Sequence, residues 1–203
     1  MVKYIIEEAE WVNLFKKREL GFVICTNLTL LTEDMVKYLK KQNCYISTSL
    51  DGPKEIHDVN RPLQDKTLDH HEIFERNLGM IRSIWQDKEC ASALMTTSKY
   101  SLGNFKSIID EYVRLGFNNI FLRSLNPYGF AKEHKDKIAY PIEDFIENFK
   151  EGLDYILELN KQGIFFREGY TTLLLKRMLT PFATGFVDLQ SPAGVGIAGA
   201  IYD

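Results

Sequence analysis

The stretch GFVICTNLTLLTEDMVKYLKKQNCYISTSL, residues 21–50, decides the fold class. It opens on an apolar, β-branched run, GFVICTNLTL (21–30), and closes on a second, CYISTSL (44–50). Between them Thr32 stands directly ahead of Glu33 and Asp34. A hydroxyl able to cap, followed by acids in the first turn, starts a helix over 32–42. Strand, helix and strand in such close succession form a parallel unit with a right-handed crossover.

The same alternation continues in both directions. Upstream, MVKYIIEEAEW reads as an amphipathic, acidic helix and not as a signal peptide. Downstream, a polar loop bounded by Pro53 and Pro62 leads to an amphipathic helix over 71–85. ASALMTT (91–97) is a third strand, and the helix over 102–116 stops at Gly116, a C′ position. NNIFLRSLNP (118–127) is a fourth strand, 141–163 a long helix with Pro at its start and Gly at its end, and 166–179 is helical for most of its length. Four near-continuously apolar strands predict a parallel sheet buried on both faces, in an α/β doubly wound sheet or a (β/α) barrel. The chain begins inside what reads as a crossover helix and stops at the strand-like GAIYD, as a piece of a longer barrel would.

At 203 residues, 45% apolar and 26% charged, the chain has the composition of a globular protein with one sizeable core. A net charge of −3 supplies no general attraction for nucleic acid or an anionic membrane, and no apolar run reaches the length of a membrane span. Three widely separated cysteines, Cys25, Cys44 and Cys90, fit buried free thiols in a cytoplasmic protein. Their spacing is that of neither a zinc nor an iron–sulfur site, and no metal ligand set is identified.

In parallel α/β folds ligands gather at the C-terminal ends of the strands. That rule selects Thr26 and Asn27, Ser49 and Asp51, Thr96 and Thr97, and Arg123 and Asn126. Asn27 can donate and accept at a ligand, or simply make a turn. Ser49 and Asp51 share one side of their strand under period-two alternation, and a hydroxyl beside a carboxylate suits a ribose or another polyol. The alternative is that Asp51-Gly52-Pro53 is only a turn. Arg61 suits a carboxylate or phosphate, or pairs with Asp51 or Asp58 to pin the loop. Arg123 ends an apolar strand, where a buried cation needs an anion from ligand or protein. His70 and His71 are adjacent and diverge on a helix, so they do not chelate together, and His57 orders the loop after the Gly-Pro turn.

The succession TNLTLLT, STSLDGPKEIHDVNR, SALMTTSKYSL, DEYVRLGFNNIFLRSLNPYGFA, KEGLDYILELNKQG and LTPFATGFVDLQSPAGVGI resembles the radical S-adenosylmethionine (SAM) enzymes that carry a SPASM or twitch domain. Within them it is most similar to the maturase of the His-Xaa-Ser system, with Leu28 where a Gly usually follows Thr-Asn. The resemblance covers nearly the whole chain. It implies a partial parallel (β/α) barrel, with residues 1–180 its central part and 181–203 the start of a SPASM- or twitch-like region.

It further implies reductive cleavage of SAM at a [4Fe–4S] cluster and hydrogen abstraction from a ribosomally made peptide, with a partner maturase. By position, Ser49 and Asp51 match its ribose-side strand, and Asn27, Arg61 and Arg123 are neighbours assigned with them to cofactor binding. The family's C-x3-C-x2-C and Gly-Gly-Glu motifs are not in this sequence, nor are auxiliary-cluster cysteines. The expectation is therefore a central fragment that does not hold the cluster by itself.

Overall fold

The structure is a computed structural model and describes residues 1–126 and 128–184. Helix α1 (Val2–Lys16) leads into β1 (Phe22–Cys25), α2 (Glu33–Lys41) and β2 (Cys44–Ser49). Then come α3 (Lys54–Asn60), α4 (His70–Trp85), β3 (Ala91–Leu94) and α5 (Phe105–Arg114). Strand β4 (Asn119–Ile120) is followed by α6 (Phe130–Glu133), α7 (Lys135–Ile138), α8 (Ile142–Lys161), β5 (Arg167–Glu168) and α9 (Gly169–Leu179).

The central unit forms as its sequence dictates. Thr32 Oγ1 accepts from Met35 N–H, Glu33 and Asp34 occupy the positive end of α2, and Lys40 and Lys41 its negative end. The strands pair in parallel in the order β1–β2–β3, with Phe22 opposite Cys44 and Ser49 opposite Leu94. Strands β4 and β5 form a separate parallel pair, Asn119 opposite Arg167. The architecture is thus mixed α/β with two parallel sheets, and among the described residues they do not join into a closed barrel.

The described residues cover only one face of the larger sheet. Cys44, Ile46, Ala91 and Ala93 are buried with Val36 and Leu39 of α2, Phe74, Leu78 and Ile81 of α4, and Ile108, Ile109 and Tyr112 of α5. On the opposite face Val23 is 65% exposed, and Tyr45 and Leu94 are each 50% exposed. This corrects the expectation of strands buried on both faces. The alternation in CYISTS carries the reason: Cys44, Ile46 and Thr48 point into the core while Tyr45, Ser47 and Ser49 point away from it.

Two further expectations change. Residues 54–60 are helical, not loop, because Pro53 presets the N-cap and Ile56 and His57 bury a face against α4. The fourth strand shrinks to two ladder residues, after which Leu122 N–H is taken by the Glu168 carboxylate (3.0 Å) in place of a strand partner. As expected, 166–179 is helical for most of its length: α9 begins at Gly169, since Arg167 and Glu168 pair with β4 and Glu168 then caps α9 through Tyr170 and Thr171 N–H. Gly116 does close α5, at φ 75°, where Phe117 N–H reaches back to the Tyr112 carbonyl (2.9 Å). Helix α1 buries only Ile6, so the apolar side read from the sequence remains uncovered by the described residues. No helix among them is long and apolar enough to cross a membrane. Of the 181–203 region, residues 185–203 lie outside the described residues.

Candidate functional site

The C-terminal ends of β2 and β3, together with the chain that follows β4, enclose a cleft of about 420 Å³. Ser49, Arg61 and Thr96 give it a polar wall, Leu94, Phe121 and Leu125 apolar lining, and Arg123 a second cation. A volume of this order suits a cofactor-sized ligand. The 121–126 segment is held over the cleft by Tyr140, whose Oη accepts from Leu125 N–H (2.7 Å). Burial raises the Tyr140 phenol above its ordinary pKa, keeping the oxygen neutral.

The polar wall is built by one turn and one short helix. Leu50 N–H extends the ladder to the Leu94 carbonyl (3.0 Å), after which Asp51 folds inward and is completely buried. Gly52 makes the turn at φ 130°, and a Cβ there would lie 2.6 Å from Ile108 Cγ1, so only glycine fits. Helix α3 then carries the chain outward and returns Arg61 at its C-cap. Arg61 Nε donates to Asp51 Oδ2 (2.8 Å) and Nη2 to Asp51 Oδ1 (3.2 Å), a bidentate fork. Nη2 also donates to Thr96 Oγ1 (3.0 Å), while Thr96 N–H donates to Asp51 Oδ1 (2.8 Å). The ends of β2 and β3 are thereby tied twice, directly from Thr96 to Asp51 and through the Arg61 guanidinium. Its Nη1 has no hydrogen-bond partner among the described residues and keeps two donors for a ligand.

The residues picked from the sequence are thus distributed unequally. Ser49, Arg61 and Arg123 all line the cleft. Asp51 does not line it; the carboxylate sits behind Arg61 and acts on the cleft through it. The premise that Arg123 is a buried cation is not met, because its side chain is exposed beyond the two-residue β4. Asn27 lies outside the lining, and its Oδ1 accepts from Thr29 N–H (3.2 Å) and Thr29 Oγ1–H (2.8 Å), an Asx turn. Next to it Leu28 adopts φ 65°, the left-handed conformation that explains why glycine suits the position. Its buried side chain and the Asn77 Nδ2 bond to its carbonyl (2.8 Å) hold it there.

Sequence reasoning missed what lies beneath the polar wall. His57, His70 and His71 are all buried, and their rings gather, with His57 centred 4.6 Å from His70 and 5.8 Å from His71. Adjacent positions on α4 do diverge, but α3 packs across the start of that helix, so His57 meets both. The signal was Asp69, whose side chain caps α4 through Glu72 N–H (2.9 Å) and sets both histidines in the first turn.

The three cysteines do not converge. Cys25 ends β1, level with Ser47, whereas Cys44 opens β2 three residues earlier, about 10 Å away along the strand. Cys90 is buried in the turn before β3. Among the described residues no group of three His, Cys, Asp or Glu side chains is placed to hold a metal ion, so these residues do not fit a [4Fe–4S] cluster.

The fold has solved relatives. A structure titled native anSMEcpe with bound AdoMet and Cp18Cys peptide matches with a TM-score of 0.74 at 21% identity, over 88% of this chain and 49% of that one. Native anSMEcpe with bound AdoMet alone matches at 0.70 with 18% identity. At such identities the likeness is one of fold. Among curated proteins, an uncharacterized protein of Methanothermobacter thermautotrophicus is 26% identical over 172 residues, covering 79% of this chain and 62% of that protein. The chain therefore spans about half the length of these solved structures and less than two thirds of the curated relative. No family model matches.

Proposed function

We propose that the cleft binds SAM and that the chain is part of a radical SAM enzyme modifying a ribosomally made peptide. The observation that carries this reading is the cleft itself: a guanidinium with free donors, held by a buried carboxylate at the strand ends, in a cleft with apolar lining. Support comes from the fold, which is shared with chains solved with AdoMet and a peptide, and from the sequence resemblance. In this reading residues 1–180 form the central part of a partial (β/α) barrel and 181–203 open a SPASM- or twitch-like region. Ser49 offers its hydroxyl to the ribose, Leu94 and Phe121 flank the adenine, and Arg61 and Arg123 face the carboxylate. Asp51 fixes Arg61, and Asn27 shapes the neighbouring turn.

In radical SAM enzymes SAM supplies the adenosyl group that abstracts hydrogen. The described residues bring no cluster ligands, so the assignment to this chain is binding and orientation, and the reaction belongs to the whole protein. Isothermal calorimetry with SAM and with S-adenosylhomocysteine tests it. Saturable binding is expected, weakened about tenfold by Ser49→Ala and by Arg123→Gln, neither of which touches the core. No heat at roughly 1 mM SAM, or full affinity in both variants, overturns it.

A further inference from the structure

The turn and helix that deliver Arg61 are held at both ends by histidines that line no part of the described cleft wall. Asp51 N–H donates to His57 Nδ1 at 3.2 Å. At the other end of the segment His70 Nδ1 lies 2.8 Å from the Arg61 carbonyl. A backbone amide only donates and a carbonyl only accepts, so each contact dictates where a ring proton sits. His57 must leave Nδ1 bare and carry its proton on Nε2, while His70 must carry a proton on Nδ1.

The third histidine is fixed likewise. His71 Nε2 donates to Glu111 Oε1 (2.8 Å), and its backbone N–H donates to Asp58 Oδ1 (3.1 Å) on α3. The outer nitrogens, Nε2 of His57 and Nε2 of His70, are buried and have no partner among the described residues. Only Nδ1 of each ring is engaged, and each engaged nitrogen grips the backbone of one member of the Asp51–Arg61 pair.

We propose that His57 and His70 are positioning residues that hold Arg61 in the cleft by adopting opposite ring tautomers. This rests on the reading of the cleft as a SAM site only for its functional consequence. A His57 proton moved to Nδ1 would face the Asp51 N–H donor to donor and release the turn that aims the Asp51 carboxylate. The groups facing His57 set against such a proton. Arg61 lies at the end of its own segment, and His70 and His71 approach from α4. Among the described residues Asp69 at the start of α4 is the only facing group that favours it, Asp51 presents its N–H to the ring, and Glu111 of α5 is engaged by His71. Protonation in acid therefore couples to release of Arg61.

The test has two arms. Long-range 1H–15N NMR of the imidazoles in the unmodified protein is expected to show, at about pH 7.5, His57 protonated on Nε2 and His70 on Nδ1, with the His57 ring unchanged down to about pH 5. A His57 proton on Nδ1, or a His57 ring that titrates near its ordinary value, overturns the proposal whatever the ligand. In the second arm His57→Asn keeps an acceptor in the place of Nδ1, whereas His57→Leu removes it. The Arg61 Nε–H resonance, shifted by its bond to Asp51, is expected to persist in the Asn variant and disappear in the Leu variant. SAM affinity should fall about tenfold in the Leu variant and stay within about threefold of the parent in the Asn variant. Equal Arg61 resonances in both folded variants overturn the proposal. Should the parent fail to bind SAM, the reading of the cleft falls while the tautomers and the Arg61 resonance still decide the positioning role.

Discussion

Replacing Asp51 by Asn should expose how much of the site depends on one buried carboxylate. The Asp51 side chain is 1% exposed and accepts three N–H groups, two from Arg61 and one from Thr96. An Asn of the same size keeps its oxygen for Thr96 N–H and Arg61 Nη2, but its amide nitrogen then faces Arg61 Nε–H, donor against donor. Breaking a buried ion pair by removing one partner costs about 3–5 kcal/mol. Arg61 retains 26% side-chain exposure and can recover some hydration, which places this substitution at the lower end, about 3 kcal/mol.

With a urea m-value of about 2 kcal/mol per M, the unfolding midpoint should drop by about 1.5 M, read by circular dichroism. Arg61→Met removes the other partner, and the double variant should be less damaged than the sum of the two, with a coupling of about 2 kcal/mol. A midpoint shift under about 0.3 M for Asp51→Asn, or a coupling under about 0.5 kcal/mol, would refute the claim that this pair organises the strand ends.

Gly52→Ala should cost about 2–3 kcal/mol, because the new Cβ meets Ile108 Cγ1 at 2.6 Å and φ is 130°; denaturation equal to the parent would contradict that packing. Glu168→Ala should cost about 2–4 kcal/mol, since it removes the α9 cap and strands the buried Leu122 N–H; amide exchange at Leu122 should quicken with it, and protection kept there counts against the assignment. Stability should also fall in acid. Burial first, and then neighbouring His70 and Arg61, depress His57 from 6.5 to about 3, so between those values the unfolded chain takes up a proton that the folded one refuses. The loss, at most about 1.4 kcal/mol per pH unit for one proton, begins below about pH 6.5 and ends near pH 3. Glu111 adds to it only below about 4.5: burial alone would raise its carboxyl, but the Arg114 hydrogen bond and charge hold it below that value. Urea midpoints for the parent and His57→Asn should therefore diverge between pH 6.5 and 4.5, and parallel curves would remove His57 from the account.

Local chemistry made much of this protein legible in one dimension. Thr32 with Glu33 and Asp34, Gly116 after α5 and Pro141 before α8 are signals read within a few residues, and they placed the helices. The alternation in CYISTS belongs to the same class, although its apolar look masked the exposed face it encodes. Ser49 and Thr96 could be picked as cleft-lining candidates because parallel strands bring ligands to their C-terminal ends, a rule that needs only the strand assignment, whereas Arg61 was picked for its charge in the segment after the Gly-Pro turn.

Partnership was decided only by the tertiary structure. Whether Asp51 meets a ligand or Arg61 depends on how a seven-residue helix returns the chain, and no spacing in the sequence states that path. The histidines show the same limit more sharply. His70 and His71 diverge on their own helix, and only the packing of α3 across it brings His57 between them and buries all three. A hydrogen bond between residues distant in sequence is an outcome of packing the whole core, whereas a cap or a strand face is settled by its immediate neighbours. That difference in range is the physical boundary between what could be read from the chain and what had to be seen folded.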